Sequence, residues 1–256
     1  MAASKVAHLM EPKMTRSFHL TLLATLLASP ALAADPVSPV FEPANFATPQ
    51  PNPYISLDLG SRFQLTGGGI RDGKAIKQNE VQTVTGPGPM LLGVQTTQIL
   101  DENVVDGRVI ERTFDYYADD SAGNLWYFGE DVTNYEYNAA GDLTGTNTQS
   151  AWRAGTNGAL PGISLPGKAA VGMSQMQEIA KTDGAMDYFE VVDADASLTG
   201  PGGSFAHVLK TYESSLSEPD SREFKYYGVG MGLLRVEDDL NADRAKPQLI
   251  LDRPAG

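Results

Sequence analysis

The stretch FDYYADDSAGNLWYFGEDVTNYE, Phe114 to Glu136, holds six carboxylates and seven aromatic rings. Its middle, Asp120-Ser121-Ala122-Gly123-Asn124, is composed as a turn, in which Gly123 supplies the left-handed backbone that a type I turn with a following bulge requires. The flanks RVIERTFDYYA and NLWYFGED are rich in β-branched and aromatic residues, the composition of strands. The segment therefore reads as a β-hairpin. A second A-G-[ND]-L sequence, Ala140-Gly141-Asp142-Leu143, predicts another hairpin turn of the same design, which is turn chemistry and not a duplicated domain.

The same pattern extends outward. RFQLTG, NEVQTVTG, GVQTTQIL, SQMQEIA, MDYFEVVDA, FAHVLKTYESS and REFKYYGVG are further candidate strands, most of them close to Gly, Pro, Asn or Asp. The best helical candidate, KAAVGMSQMQEIAK (168–181), is interrupted by Gly172, and its second half reads as a strand. GTNGALPGISLPG (155–167) reads as an irregular lid or surface connection. KYYGVGMGLL reads as a strand bent at its glycines. These features predict an all-β fold of nine or ten antiparallel strands in a meander that closes into a barrel or strongly curved sheet. A two-sheet sandwich is the alternative.

The N-terminal end reads as a targeting segment. Lys13 and Arg16 precede the apolar run Phe18–Ala28, and Ala31-Leu32-Ala33 has the small-x-small form of a cleavage site. The run is too short to span a membrane, which takes about 20 residues. Residues 1–33 are thus expected to be a signal peptide cleaved near Ala33, with the product periplasmic or secreted. Residues 34–53, with six prolines, read as an extended tether, and 54–256 as a single β domain. Loss of residues 1–33 removes three basic residues and one acid, leaving 16 against 31 and a net charge of −15. Such a surface repels nucleic acid and favours cations or basic partners.

The residue inventory excludes several chemistries. Cysteine is absent, so disulfides, thiolate metal sites and cysteine nucleophiles are excluded. The mature chain keeps one histidine, His207, through which any Ser-His-Asp triad would have to run. Zinc sites of the His-rich kind are out of reach.

The hairpin acids are the candidate site. Strict alternation puts Glu111, Asp115 and Asp119 on one face of the outgoing strand, with successive acids roughly 13 Å apart, so any ion site must recruit acids from other strands. On the return strand it groups Trp126, Phe128 and Glu130 against Leu125, Tyr127 and Asp131. If the acids face inward they need basic partners, for which Arg153, Arg222 and Lys225 are candidates, or a metal ion. Oxygen-only donors select hard cations, Ca²⁺ first. Helix-loop-helix calcium spacing fails at DENVVDG and at DLNADR, where Arg244 stands in the glycine position.

DYYADDSAGNLWYFGED, SAWRAGTNGALPGI, MQEIAKTDGAMD and KYYGVGMGLL, taken in order, resemble a family of exported bacterial proteins of uncharacterised function, over about residues 100–235. Its pattern is D-Y-x-A-x-D-x-x-G-N-x-W-Y-F-G-E-D, then W-x-A-G-x-x-G-A-x-P-G-I, then Q-E and a later Asp. The resemblance implies that Asp115, Asp120, Glu130, Asp131, Glu178 and Asp187 form a constellation. Asp119 falls at a variable position.

Three functions follow as expectations. The leading one is a non-catalytic binding protein that holds a divalent cation such as Ca²⁺ through Asp115, Asp119, Asp120, Glu130, Asp131, Glu178 and Asp187. The second is a carrier with an apolar or lipid ligand in a β cavity, which predicts an apolar cavity of about 300–1,000 Å³. The third is a glycan-binding or glycoside-hydrolysing protein using Trp126, Tyr127, Phe128 and Trp152, which predicts an exposed tryptophan in an acidic cleft.

Overall fold

The computed structural model describes residues 35–71 and 73–255, so the proposed signal peptide lies outside the described residues. Fifteen strands are antiparallel throughout: β1 (Arg62–Arg71), β2 (Lys74–Leu91), β3 (Val94–Val105), β4 (Arg108–Asp119), β5 (Leu125–Tyr137), β6 (Leu143–Asn147), β7 (Trp152–Arg153) and β8 (Leu160–Leu165) come first. They continue with β9 (Ser174–Met176), β10 (Glu178–Ile179), β11 (Asp187–Gly200), β12 (Gly203–Ser215), β13 (Arg222–Gly228), β14 (Gly232–Asp238) and β15 (Leu249–Asp252). Thirteen form one path, β10-β8-β5-β4-β3-β2-β1-β15-β14-β13-β12-β11-β9, while β6 and β7 pair on β5. The fold is the expected antiparallel meander curled into a barrel, with fifteen strands in place of the nine or ten expected, and its single continuous sheet is not a sandwich.

The two ends of that path, β9 and β10, are separated only by Gln177. One extended stretch pairs with β11 through Ser174–Met176 and then with β8 through Glu178 and Ile179, so it joins the two edges of the sheet. Backbone crowding at this seam explains Gly162 on β8: a Cβ there would lie 2.4 Å from the carbonyl oxygens of both Met176 and Gln177. Segment 155–167 is therefore wall as well as connection. Its second half is β8, and its proline and glycines hid a strand that alternation would otherwise have shown.

Both predicted turns form alike. The amide of Gly123 donates to Asp120 O and that of Gly141 to Asn138 O, and both glycines have positive φ. Residues 35–53 are largely extended, with one 3₁₀ turn at Pro43–Phe46, and they are docked on the wall. Val37 bridges to Gln175 of β9. Phe41 and Phe46 set their rings edge-on to Trp126 and Phe128 on β5, with centroids 5.6 to 5.9 Å apart. Composition reported the extension; the two phenylalanines supply the docking.

Candidate functional site

A cavity of about 360 Å³ lies inside the barrel. Its apolar side is formed by Leu125, Leu165, Leu233, Val236 and Leu251. The rest of its wall is acidic. Each strand turns alternate residues inward, and on eight strands that inward row includes a carboxylate at cavity height. β2 contributes Glu80, β3 Asp101, β4 Glu111 and Asp115, β10 Glu178, β11 Asp187, β12 Glu213, β13 Glu223 and β14 Asp238. Among the described residues only two cations, Arg71 and Lys225, share this lining.

The register makes rows of these acids. Glu80 stands opposite Asn103, which stands opposite Glu111. Glu213 stands opposite Glu223. Asp115 stands opposite Glu130, which in turn pairs with Trp152 of β7.

The last row depends on a bulge. Asp115 pairs with Glu130 but Tyr117 pairs with Tyr127, so β5 carries one extra residue between them. Gly129 absorbs it with φ of 122°, and a Cβ at this position would lie 2.3 Å from Trp152 O. As a result Tyr127 and Glu130 share the inner face although they are three residues apart. Strict alternation had put Glu130 with Trp126 and Phe128; the bulge reverses that placement and sends Asp131 outward instead.

Burial governs the electrostatics. Loss of solvation raises Glu80 to about 8 and Asp101 and Asp115 to about 7, and the neighbouring acids add to each rise. Glu223 is likewise raised to about 7, with Lys225 opposing the rise. Glu130 is pushed to about 10 by burial and then by Glu178 and Asp115. Burial, followed by Asp187 and Asp115, holds Glu178 well above the carboxylate range. Asp187 is raised by burial, and its hydrogen bond with Ser215 works against that.

Lys225 is the internal counter-ion. Its Nζ lies 3.0 Å from Glu213 Oε2 and 2.9 Å from Glu223 Oε1. Burial disfavours its charge, but the two glutamates outweigh burial and hold the ammonium well above its ordinary range. Glu213 also accepts from Thr211 Oγ1 at 2.8 Å, Gln177 Nε2 at 3.2 Å and the Tyr227 hydroxyl at 3.3 Å. The Tyr127 hydroxyl donates to Asp115 Oδ1 at 2.6 Å, and the Tyr127 ring stacks on Tyr117 with centroids 4.7 Å apart.

The seven acids named from sequence therefore divide. Asp115, Glu130, Glu178 and Asp187 belong to the acidic interior. Asp120 is committed to its turn: its carboxylate accepts from the amides of Ala122 and Asn124, the Asn124 side chain and the Trp126 indole, all within 2.8 to 2.9 Å. Asp131 lies outside, held by Arg153 and by the Tyr116 hydroxyl; burial would raise it, but these partners lower it below the usual range. Asp119 borders a separate, more open cleft with Phe46, Leu57 and Val94. Among the described residues, no three His, Cys, Asp or Glu are grouped so as to hold one metal ion.

The rings are spent on packing. Trp126 and Trp152 are each 3% exposed, Phe128 is fully buried, and only Tyr127 reaches the cavity. The glycan reading thus loses its exposed tryptophan. The carrier reading finds a cavity of suitable size whose wall is mainly acidic. Of the three basic candidates only Lys225 faces inward, since Arg153 serves Asp131 and Arg222 pairs with Asp220. His207 stands on the surface beside Asp195, 2.6 Å away, with its side chain 80% exposed.

Sequence reasoning missed Glu80, Asp101, Glu111 as a cavity group, Glu213, Glu223 and Asp238. A usable signal was present. In KQNEVQT and LDENV polar residues occupy both faces of the strand, which a solid apolar barrel would not allow.

No family model and no curated protein matches the chain. One solved structure with similarity is described as that of a "putative lipoprotein" from Parabacteroides distasonis ATCC 8503. It shares 12% identity over 80% of this chain and 99% of that one, with a TM-score of 0.39, a likeness too slight to transfer fold or function.

Proposed function

We propose that the chain is an exported, non-catalytic binding protein that takes a cationic ligand into the acidic interior of its barrel. The observation that carries this reading is the inward carboxylate on eight strands around one cavity, opposed, among the described residues, by only Lys225 and Arg71. Unpaired carboxylates in such a place are costly, and a cation is the occupant that removes the cost. Ca²⁺ held by members of the group Asp115, Glu130, Glu178 and Asp187 is one form of this proposal, supported by the hard oxygen donors. Export rests on the targeting composition of residues 1–33. Among the described residues no helix is long and apolar enough to cross a membrane.

Thermal melting tests the reading. The protein is melted with EDTA, then with millimolar Ca²⁺, Mg²⁺ or an organic ammonium ion, and in parallel with a fatty acid. A ligand selective for the folded state adds about 2.7 kcal/mol at a hundred times its dissociation constant. Stabilisation by a cation, reduced in Asp115→Asn and Glu178→Gln, is expected. Melts unmoved by every cation and raised by the fatty acid would overturn the proposal in favour of an apolar carrier.

A further inference from the structure

Several donors on the cavity wall are already committed to its carboxylates. The hydroxyls of Tyr127 and Tyr227 are given to Asp115 and Glu213, and the Gln82 amide to Glu80 and Asp101. By contrast, Gln78 Oε1, Asp101 Oδ1 and Asn103 Oδ1 are buried with no hydrogen-bond partner. All three residues line the cavity from the adjacent strands β2 and β3, and Gln78 is only 6% exposed. Three unpartnered acceptors beside carboxylates suit a group rich in donors, and an alkylammonium has three N–H donors and no acceptor.

The distribution of charge distinguishes among cations. A bare ion needs several oxygens converging within about 2.3–2.6 Å of one point. Here the carboxylates are spread around the wall, and none of the groupings among the described residues is suited to an ion. The volume, about 360 Å³, falls in the range of small-molecule sites. Lys225 already shows how this interior seats a primary ammonium, on an aliphatic stem between two glutamates at 3.0 and 2.9 Å. Among the described residues no lysine pairs with Glu80, Asp101 or Glu111 on β2–β4. Tyr117 and Tyr127 add aromatic surface to the same wall, suited to methylene groups and to cation–π contact.

Resting on the cation-binding reading above, we propose that the ligand is a small aliphatic amine with two or more ammonium groups, seated against Gln78, Glu80, Asp101, Asn103 and Glu111 as Lys225 is seated against Glu213 and Glu223. The ligand repeats, on the unneutralised part of the wall, the chemistry that the protein supplies to itself on the other part.

Isothermal titration at pH 8 and moderate salt tests this with spermidine and putrescine, against CaCl₂ and the uncharged 1,4-butanediol. The expected result is saturable binding of about one spermidine per chain, with no binding of the diol. The affinity should fall at least tenfold in Asp101→Asn/Glu111→Gln, and separately in Glu80→Gln, and stay within twofold in the surface control Asp195→Asn/Asp220→Asn. The inner substitutions remove buried charge without changing shape, and a melt of each variant confirms folding. Amine binding that survives the inner substitutions but not the surface ones would overturn the proposal. Ca²⁺ binding without amine binding would overturn it and leave the cation reading standing; binding of neither would remove both.

Discussion

Asp115 on β4 and Glu130 on β5 face each other directly across the wall with both carboxyls on its inner side, and burial together with their neighbours raises both. Two such groups resist carrying charge together, so electrostatic tension inside the barrel grows with pH.

The pH dependence of stability follows with a definite sign. Glu80, Asp101, Asp115 and Glu223 titrate near 7 to 8 in the folded protein and near 4 when unfolded. Between those values the folded state binds more protons, so stability is fullest below pH 4 as far as these groups go and declines until pH passes 8. The ligand-free protein should melt at least about 5 °C lower at pH 8 than at pH 5, given about 2–4 °C per kcal/mol at this size. A melting temperature that rises over that interval would refute the assignment of these acids to a dehydrated interior.

Glu80→Gln should stabilise the ligand-free protein at pH 8 by about 1 kcal/mol, because one pKa unit corresponds to 1.36 kcal/mol and the half-buried position of Glu80 screens part of the rise. The gain should vanish at pH 4, where the native glutamate is already neutral. Chemical denaturation at the two pH values measures the difference. Cation binding should weaken in the same variant, so stability and binding move in opposite directions.

Lys225→Met removes the one ammonium between Glu213 and Glu223. A loss of about 3–5 kcal/mol is expected at pH 8, since breaking one side of a buried pair leaves uncompensated charge. Adding Glu223→Gln should return part of it. A single variant as stable as the parent at pH 8 would show that the cavity is wet enough to solvate both glutamates.

Gly129→Ala should cost about 2–4 kcal/mol, because the bulge needs φ of 122° and leaves no room for a Cβ beside Trp152 O. Beyond the stability loss, a variant that still folds should show lowered cation affinity as Glu130 shifts from the inner face. Denaturant unfolding together with titration separates the two effects.

Phe41→Ala should expose Trp126, against which the phenylalanine ring lies at a centroid distance of 5.9 Å. A destabilisation of about 2–3 kcal/mol and a red shift of tryptophan emission are expected, from loss of packed aromatic area. Unchanged emission would mean that residues 35–46 contribute little to covering the wall.

The fold was legible because period-two patterning and turn residues act locally: Gly123 and Gly141 announce their hairpins within four residues. The site was legible only in part. Of the acids named from sequence, Asp115, Glu130, Glu178 and Asp187 lie on the inner face, although alternation had put Glu130 on the other one because nothing local distinguishes Gly129 as a bulge from an ordinary strand glycine. Asp120 and Asp131 were grouped with the site because a carboxylate that caps a turn or pairs with an arginine looks the same in sequence as one that binds a ligand. The remaining acids, on β2, β3 and β12–β14, are brought together by barrel closure, a long-range event that strand periodicity cannot encode.

The pairing of β1 with β15 joins Thr66–Gly69 to Leu249–Asp252, so the first wall strand waits for one made about 180 residues later. Until Leu249–Asp252 are synthesised, the growing sheet has two raw edges and an acidic lining. Contacts this distant in sequence make for slow assembly, and open edges invite pairing with other chains. Mutual repulsion among the acids then keeps half-built sheets apart until the ring shuts, so their density serves the unfinished chain as much as the finished one.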